Sequence, residues 1–349
     1  MRYASNAVLA KARAMYAGRI TSEEYDALVS CKSLSELIGL LQRRKRYAVS
    51  LEKAPSSITP AQAEELLRMS VYEQLAILGR YEISERNTFF RFYIVKREIE
   101  QLLRCIRLLI GGRSQEYLTE LPPFFNNLTE LNLFRLAEAD SMEDVLQVLD
   151  GTPYRRILSP YVPIYKEKGV YLQIEAAFHA YLFAFLFDSA KRDKSDKKQM
   201  EEALRLYVDA EYITSMYRLK KMRAGDEKIY SAYLVKNHTA FSKAQIDAMQ
   251  RARDEKEFMA ALAKTAYGEE LKALDYGDTE KVIAEYVCEK YRKGLRFYTD
   301  PAAVMVCYMF LAENEIMNII RIIEGIRYQI SPNEIKSVLT GVRSESGAA

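Results

Sequence analysis

The sequence predicts an all-α fold composed of three similar helical domains. Three observations lead to this prediction: several helical segments exceed twenty residues, alternating strand-like patterns are nearly absent, and one ordered set of features occurs three times. Self-similarity at a roughly fixed period indicates a repeat architecture, and a chain of 349 residues has room for two or three domains. We therefore place the domains at 1–120, 121–236 and 237–349, with boundaries in the segments LPPFF and KNHTAFS.

Each repeat is predicted to contain two short helices, a medium helix and a long helix. The first long helix stops at Gly111-Gly112, where glycine can adopt the left-handed conformation, and the third begins at the potential cap Asp300 with Pro301 at its first position. The predicted spans are 22–30, 34–42, 60–79 and 85–110 in the first repeat, 128–138, 142–149, 168–189 and 196–223 in the second, and 242–252, 255–263, 279–295 and 301–328 in the third.

A potential capping box opens the second short helix of every repeat, at Ser33–Glu36, Ser141–Asp144 and Asp254–Glu257. In this motif the cap side chain accepts from the amide three residues later, where an acidic side chain reaches back. A tyrosine follows each cap by 14, 13 or 13 residues, and an acidic residue in the long helix follows each tyrosine by 51, 55 or 48 residues. The tyrosines are Tyr47, Tyr154 and Tyr267, and the acids are Glu98, Asp209 and Glu315.

We interpret the three tyrosines as equivalent structural corners of the repeats. An aromatic ring can anchor a helix end while its hydroxyl finds a hydrogen-bond partner. Direct contact with a partner protein is the alternative role that the sequence leaves open.

Motifs that would indicate catalysis or a bound cofactor are not found. Neither G-x-x-x-x-G-K-[ST] nor G-x-G-x-x-G is present. The two histidines, His179 and His238, lack metal-ligand spacing, and four scattered cysteines form no C-x-x-C pair, which fits a reducing compartment. We therefore predict no catalytic residue, no cofactor, no metal and no small-molecule substrate.

The charge and hydropathy patterns exclude two further classes. A formal net charge of +3 lacks the basic excess of a nucleic-acid-binding protein. The most apolar run, residues 176–187, is shorter than the roughly 20 residues that span a bilayer, so we expect a buried core helix there.

Several of these segments together resemble a known family. The corners GTPYRRIL and KTAYGEEL and the helices YVDAEYITSMYRLKKMRAG and LAENEIMNIIRIIEGIRY are similar to the C subunit of prokaryotic V/A-type rotary ATPases, the counterpart of the eukaryotic d subunit. The resemblance covers nearly the whole chain, including the N-terminal segment YASNAVLAKARAM. The family's long helices commonly carry Asn three residues after the acid; Asn318 keeps it, whereas Gln101 and Tyr212 replace it.

The resemblance implies a pseudo-threefold funnel of three helical domains that serves as a non-catalytic rotor subunit. Such a subunit is present in one copy per complex and is peripheral on the cytoplasmic face of the membrane. There it joins the D and F subunits of the central stalk to the membrane proteolipid ring and transmits torque for proton or sodium transport. An unrelated helical-repeat scaffold that binds partner helices is the alternative. A metal- or cofactor-dependent helical enzyme is disfavoured because clustered ligands are missing.

Three arginines in the long helices are candidates for partner binding. Arg107 and Arg218 follow the acid by nine residues, and Arg321 follows it by six. A planar guanidinium can bind carboxylates or carbonyls of the stalk or ring in a bidentate manner. The alternative is that these arginines lie on solvated faces or in intrachain ion pairs.

Overall fold

A computed structural model describes residues 6–52, 54–55, 57–81, 88–119, 128–191, 197–223, 229–230, 239–272 and 279–342. Within these ranges the chain forms eighteen α-helices and no strand, which confirms the all-α prediction. In chain order the helices are α1 (Ala7–Ala17), α2 (Ser22–Val29), α3 (Leu34–Gln42), α4 (Lys45–Leu51), α5 (Pro60–Gly79), α6 (Thr88–Ile110), α7 (Gln115–Thr119), α8 (Leu133–Ala137), α9 (Met142–Val148), α10 (Pro153–Leu158), α11 (Val170–Lys191), α12 (Lys197–Lys221), α13 (Lys243–Arg251), α14 (Glu255–Leu262), α15 (Ala266–Lys272), α16 (Thr279–Phe297), α17 (Pro301–Arg327) and α18 (Pro332–Val338).

The predicted helices correspond to observed ones within a few residues at most ends. Residues 85–87, the predicted start of the first long helix, lie outside the described residues, as do the domain boundaries near 120 and 236. The local signals work as expected at α17, where the Asp300 side chain accepts from the amide of Ala303 at 2.9 Å and Pro301 is the first helical residue.

The caps Ser33, Ser141 and Asp254 all accept the amide three residues later, as predicted. The acidic side chain reaches back differently from the predicted capping box. Glu36 accepts from the amide of Lys32, and Glu257 accepts from that of Arg253, each one residue before the cap. Each of these two carboxylates therefore accepts a hydrogen bond from the residue before the cap, whose amide lies outside the helix.

Each of the three tyrosines lies in a short helix, where the repeat pattern predicts only a corner. Tyr47 is in α4, Tyr154 is in α10 and Tyr267 is in α15. These helices have six or seven residues, so a helical period is hard to recognise in them. A second local signal, Pro153 at the first position of α10, was visible in the sequence.

The first of two compact units comprises residues 1–90, 193–203 and 276–349. Its central element is α17, on which α1, α5 and α16 pack. Most of the 27 residues of α17 are buried, from Pro301 to Gly325. Because this helix is apolar around nearly its whole circumference, it must be covered by other helices on several sides.

The second compact unit comprises residues 91–192 and 204–275. Its aromatic side chains join three helices: the ring of Tyr207 on α12 lies edge-on to Phe92 on α6 and to Phe183 on α11, with centroid separations of 6.5 and 5.6 Å. The long helix of the first predicted repeat, α6, thus lies largely in the same unit as the second repeat's corner.

The apolar run at 176–187 lies in α11, which is longer than the run itself. Val170–Asp188 and Pro301–Arg327 are both long and apolar enough to cross a membrane by length and composition alone. The most apolar part of the Pro301–Arg327 helix is 83% buried, as in a core helix, whereas that of Val170–Asp188 is 44% buried. The expected core helix is therefore buried on one face only, which includes Phe178, Leu182 and Leu186.

Candidate functional site: tyrosine–carboxylate contacts and long-helix arginines

Each long helix, α6, α12 and α17, buries one carboxylate near its middle. Glu98 is 3% exposed, Asp209 is fully buried and Glu315 is 7% exposed. A buried carboxylate is unfavourable unless hydrogen-bond donors or cations surround it. Each of the three acids is accordingly surrounded by hydrogen-bond donors.

The hydroxyl of one predicted tyrosine donates to each acid. Tyr154 donates to Glu98 Oε2 at 2.5 Å and Tyr267 donates to Asp209 Oδ2 at 2.7 Å. In the first compact unit the Tyr47 hydroxyl donates to Glu315 Oε1. Tyr154 and Tyr267 therefore contact the long helix of the preceding sequence repeat, whereas Tyr47 contacts the long helix of the last repeat.

A second donor reaches each acid from the segment that precedes the first short helix of the repeat. Thr129 Oγ1 donates to Glu98 at 2.6 Å, and the amide of Ile20 donates to Glu315 Oε2 at 3.0 Å. Asp209 accepts from the Thr239 hydroxyl and, at 3.0 Å, from the amide of Ala240. Both oxygens of every acid are thus satisfied by residues of another repeat.

The threonines belong to a local motif that could have been found in the sequence. Thr129 Oγ1 accepts from the amide of Leu131, and Thr239 Oγ1 accepts from that of Phe241. In both places Thr stands two residues before a buried apolar residue, which is followed by the N-cap of a short helix. The pattern was missed because in the first repeat a backbone amide, which leaves no mark in the sequence, replaces the threonine.

Glu315 also has a cationic partner, Arg46. Arg46 Nη1 lies 2.5 Å from Glu315 Oε1, and both side chains are only 9% exposed. Arg46 also donates to the carbonyl of Met15 and, at 3.4 Å, to the hydroxyl of Tyr308. Burial alone would lower the pKa of Arg46, but the Glu315 carboxylate and the nearby tyrosines raise it above its ordinary value. This arginine is therefore a fixed positive charge.

The buried contacts shift the acid–base properties of the tyrosines and of Asp209. Burial and the Glu98 carboxylate raise the pKa of Tyr154, and burial and Glu315 likewise raise the pKa of Tyr47. Burial raises the pKa of Asp209 although hydrogen bonds from Thr239, Tyr267 and the Ala240 amide oppose the shift. The tyrosines consequently act as neutral donors to the acids.

Two residues beyond the end of each long helix, the backbone adopts a left-handed conformation. Gly112 has φ 67°, Arg223 has φ 49° and Gln329 has φ 54°. Each stands fourteen residues after the acid of its helix, so the same register holds in the three repeats. At two of the ends the next amide bonds back into the last turn, as in a Schellman motif: Arg113 to Leu108 at 2.8 Å and Ile330 to Gly325 at 2.9 Å.

Counted from the left-handed residue, Arg107 and Arg218 occupy equivalent positions, whereas Arg321 does not. Arg107 and Arg218 both lie five residues before the left-handed residue and are exposed. In α17 that position is Glu324. Arg321 lies three residues earlier and is half-buried, and its Nη1 donates to Asn318 Oδ1 at 3.0 Å and to Thr340 Oγ1 at 3.2 Å. The structure therefore holds Arg321 within the chain.

In the first and third repeats, the residue three positions after the acid bonds a segment that lies beyond the long helix. Gln101 accepts from the hydroxyl of Tyr117 on α7 at 3.2 Å. Asn318 bonds the backbone of Thr340, beyond α18.

Of the two histidines, His179 lies half-buried edge-on to Phe183, and His238 lies outside the described residues.

Comparison with known proteins identifies the family. The model of the ATP synthase (C/AC39) subunit family matches residues 8–338. The C subunit of the A-type ATP synthase of Thermococcus onnurineus is 22% identical over 346 residues, covering 95% of this chain and 88% of the relative. The proteins of the same name from Pyrococcus furiosus and Methanocaldococcus jannaschii are 22% and 23% identical, again over 95% of this chain and over 88% and 85% of the relatives. Because the family match extends over nearly the whole sequence, the chain belongs to the ATP synthase (C/AC39) subunit family, which confirms the resemblance to the C subunit of V/A-type ATPases.

Proposed function

We propose that the chain is a non-catalytic rotor subunit that joins the central stalk of a V/A-type ATPase to its membrane proteolipid ring. Membership of the ATP synthase (C/AC39) family supports a place in such a complex. In this role the chain transmits torque between ATP turnover in the soluble head and ion movement at the membrane. Its partners are the D and F subunits of the stalk and the proteolipid ring, with one copy per complex on the cytoplasmic face.

The tyrosine–carboxylate contacts are the structural observation that best supports a torque-bearing role. Each long helix is fixed through a buried acid to the short helices of another repeat. Sliding a long helix past its neighbour would leave that acid buried without its donors, at a cost of about 1–3 kcal/mol for each lost donor. A load-bearing part needs this resistance to slippage at every junction between repeats.

We propose that the three repeats, 1–120, 121–236 and 237–349, are related by pseudo-threefold symmetry and form the funnel that receives the stalk. The cyclic order of the contacts supports this proposal, since Tyr154 and Tyr267 each contact the preceding repeat while Tyr47 contacts the last one. An open solenoid would give its first repeat no such partner.

Arg107 and Arg218 are the arginines that we propose as partner contacts. Both are exposed at equivalent positions of α6 and α12. Arg321 is the matched comparison, because it is half-buried and lies outside this register. Carboxylates or carbonyl groups of the stalk or ring are the groups that a guanidinium would recognise.

The experiment that tests the function is purification of the tagged chain from its native membranes in mild detergent, followed by mass spectrometry. The D and F subunits of the stalk and the proteolipid should co-purify in a fixed ratio, with one copy of the chain. Recovery of unrelated helical proteins in place of the rotary subunits would support the scaffold alternative. A second measurement is calorimetry with ATP: the isolated chain should show no saturable binding at micromolar concentrations.

A further inference from the structure

The segment that follows α18 is bound by side chains of α16 and α17. Helix α18 ends at Val338, and Leu339 and Thr340 are then buried although they belong to no helix. The amide of Leu339 bonds back to Lys336 at 3.3 Å. Thr340 and Gly341 form hydrogen bonds with side chains of α17 and α16.

The backbone of Thr340 is held by an asparagine that bonds both its donor and its acceptor. Asn318 Nδ2 donates to the Thr340 carbonyl at 2.6 Å, and the Thr340 amide donates to Asn318 Oδ1 at 3.0 Å. Asn314 donates to the same carbonyl at 2.9 Å and accepts from the Thr340 hydroxyl at 2.7 Å. Arg321 adds a bond to that hydroxyl at 3.2 Å. Every polar group of Thr340 therefore has a side-chain partner.

The backbone of Gly341 is held by two groups of opposite charge on α16. Its amide donates to Glu285 Oε1 at 2.8 Å, and its carbonyl accepts from Arg292 Nη2. The carboxylate thus faces the N–H of the peptide before Gly341, and the guanidinium faces the carbonyl of the peptide after it. This pairing orients the peptide, so the site has a defined chain direction.

Glycine is favoured after the threonine for two independent reasons. Gly341 has φ 71°, a conformation that other residues rarely adopt. A Cβ atom there would lie 3.0 Å from Arg292 Nη2, 3.1 Å from Asn314 Nδ2 and 3.3 Å from Cys288 Sγ. The site therefore selects a buried Leu, a Thr with all its polar groups bonded, and a Gly.

We propose that Glu285, Arg292, Asn314, Asn318 and Arg321 form a binding site for an extended Leu-Thr-Gly peptide, and that residues 339–341 are its detachable intramolecular ligand. The segment lies outside every helix of the described residues, so it can leave without breaking one of them. When it leaves, water can hydrate the five side chains. Local opening of this kind requires less free energy than global unfolding.

The test uses the full chain with Gly341→Ala, which should expel the segment from the site and leave the site open. A fluorescent peptide of residues 337–344 is titrated against this variant and the unchanged chain, and anisotropy is measured. The peptide should bind the variant saturably and about tenfold or more tightly than it binds the unchanged chain, whose own segment competes at high effective concentration. Binding should be lost when the peptide carries Ala at the glycine position, and when the chain also carries Asn318→Ala.

Hydrogen exchange of the unchanged chain tests the same proposal without a substitution. The amides of Thr340 and Gly341 should be protected, yet exchange faster than the buried amides of α17. Exchange of these two amides only with global unfolding would overturn the proposal. So would a folded Gly341→Ala chain that fails to bind the peptide.

Discussion

Tyr47 and Glu315 are separated by 268 residues in the sequence, and the tyrosine hydroxyl donates to Oε1 of the glutamate in the first compact unit. The same glutamate accepts from the amide of Ile20 and pairs with Arg46. One buried carboxylate thus connects the short helices of the first repeat to the long helix of the last. We expect the stability of this unit to depend strongly on that connection.

Replacing Arg46 by alanine should lower the free energy of unfolding by about 3–5 kcal/mol, because it leaves Glu315 buried without its cation. Arg44→Ala is the matched control. Arg44 pairs with Glu24 at a more exposed site, with side chains 24% and 43% exposed, and its pair should contribute at most about 1 kcal/mol. Chemical denaturation followed by circular dichroism measures both. Equal losses in the two variants would contradict the importance of the buried pair.

Tyr154→Phe should destabilise the second compact unit by about 1–3 kcal/mol, since Glu98 loses a donor while the ring packing is kept. The control is Tyr171→Phe, whose hydroxyl makes a long contact of 3.5 Å with the Leu103 carbonyl. We expect a clear decrease in Tm for the first variant and little change for the second. A Tyr154→Phe chain as stable as the parent would mean that the hydroxyl is dispensable.

Asp209→Asn should change how stability depends on pH. Burial raises the pKa of Asp209 above its usual 3.8, so the folded state binds this proton more tightly than the unfolded state. The contribution of Asp209 to the free energy of unfolding therefore falls as pH rises from the unfolded pKa through the raised folded pKa. The asparagine variant lacks this decrease, so its stability relative to the parent should increase across that window.

Asp144→Asn is the control for the pH experiment and should give the opposite sign. The Ser141 hydroxyl and nearby amides lower the pKa of Asp144, so the parent gains stability as pH rises through the window between the folded and unfolded pKa. Denaturation midpoints are measured at several pH values for the parent and both variants. They give the stability of each variant relative to the parent as a function of pH. Parallel curves for parent and Asp209→Asn would contradict the raised pKa.

The left-handed helix ends predict stabilising substitutions. Arg223→Gly and Gln329→Gly should each raise stability by on the order of 1 kcal/mol, because glycine adopts positive φ without strain. Gly112→Ala should have the reverse effect of similar size, and the cause would be conformational alone, since among the described residues no atom lies within 4 Å of the added Cβ. Thermal melts should show a higher Tm for Arg223→Gly and Gln329→Gly and a lower Tm for Gly112→Ala.

Arg107→Ala and Arg218→Ala should weaken attachment of the chain to the stalk or ring while leaving its Tm nearly unchanged. Truncating a charge that is desolvated in an interface costs about 2–5 kcal/mol of binding free energy. Arg321→Ala is expected to behave differently, with a lower Tm and unchanged co-purification, because this arginine bonds Asn318 and Thr340. Normal recovery of all partners with the first two variants would remove them as coupling contacts.

The helices and their caps could be predicted from the sequence because their signals are local. Apolar periodicity, the caps Ser33, Ser141 and Asp254, and Pro301 at a first helical position all act within one or two turns. The family resemblance was also found from the sequence, since the repeated motifs stand in order along the chain. The very short helices around the tyrosines were missed because six or seven residues do not establish a period.

The partners of the repeated residues were decided by the tertiary structure. From spacing alone, Tyr154 was grouped with Asp209 of its own repeat, yet its hydroxyl bonds Glu98 of the preceding one. Likewise Arg321 was grouped with Arg107 and Arg218, but it bonds the segment around Thr340. The spacing of residues along a helix determines which of them share a face. Which other helix covers that face depends on the packing of the whole chain. A buried carboxylate takes its donors from whichever segment that packing brings to it.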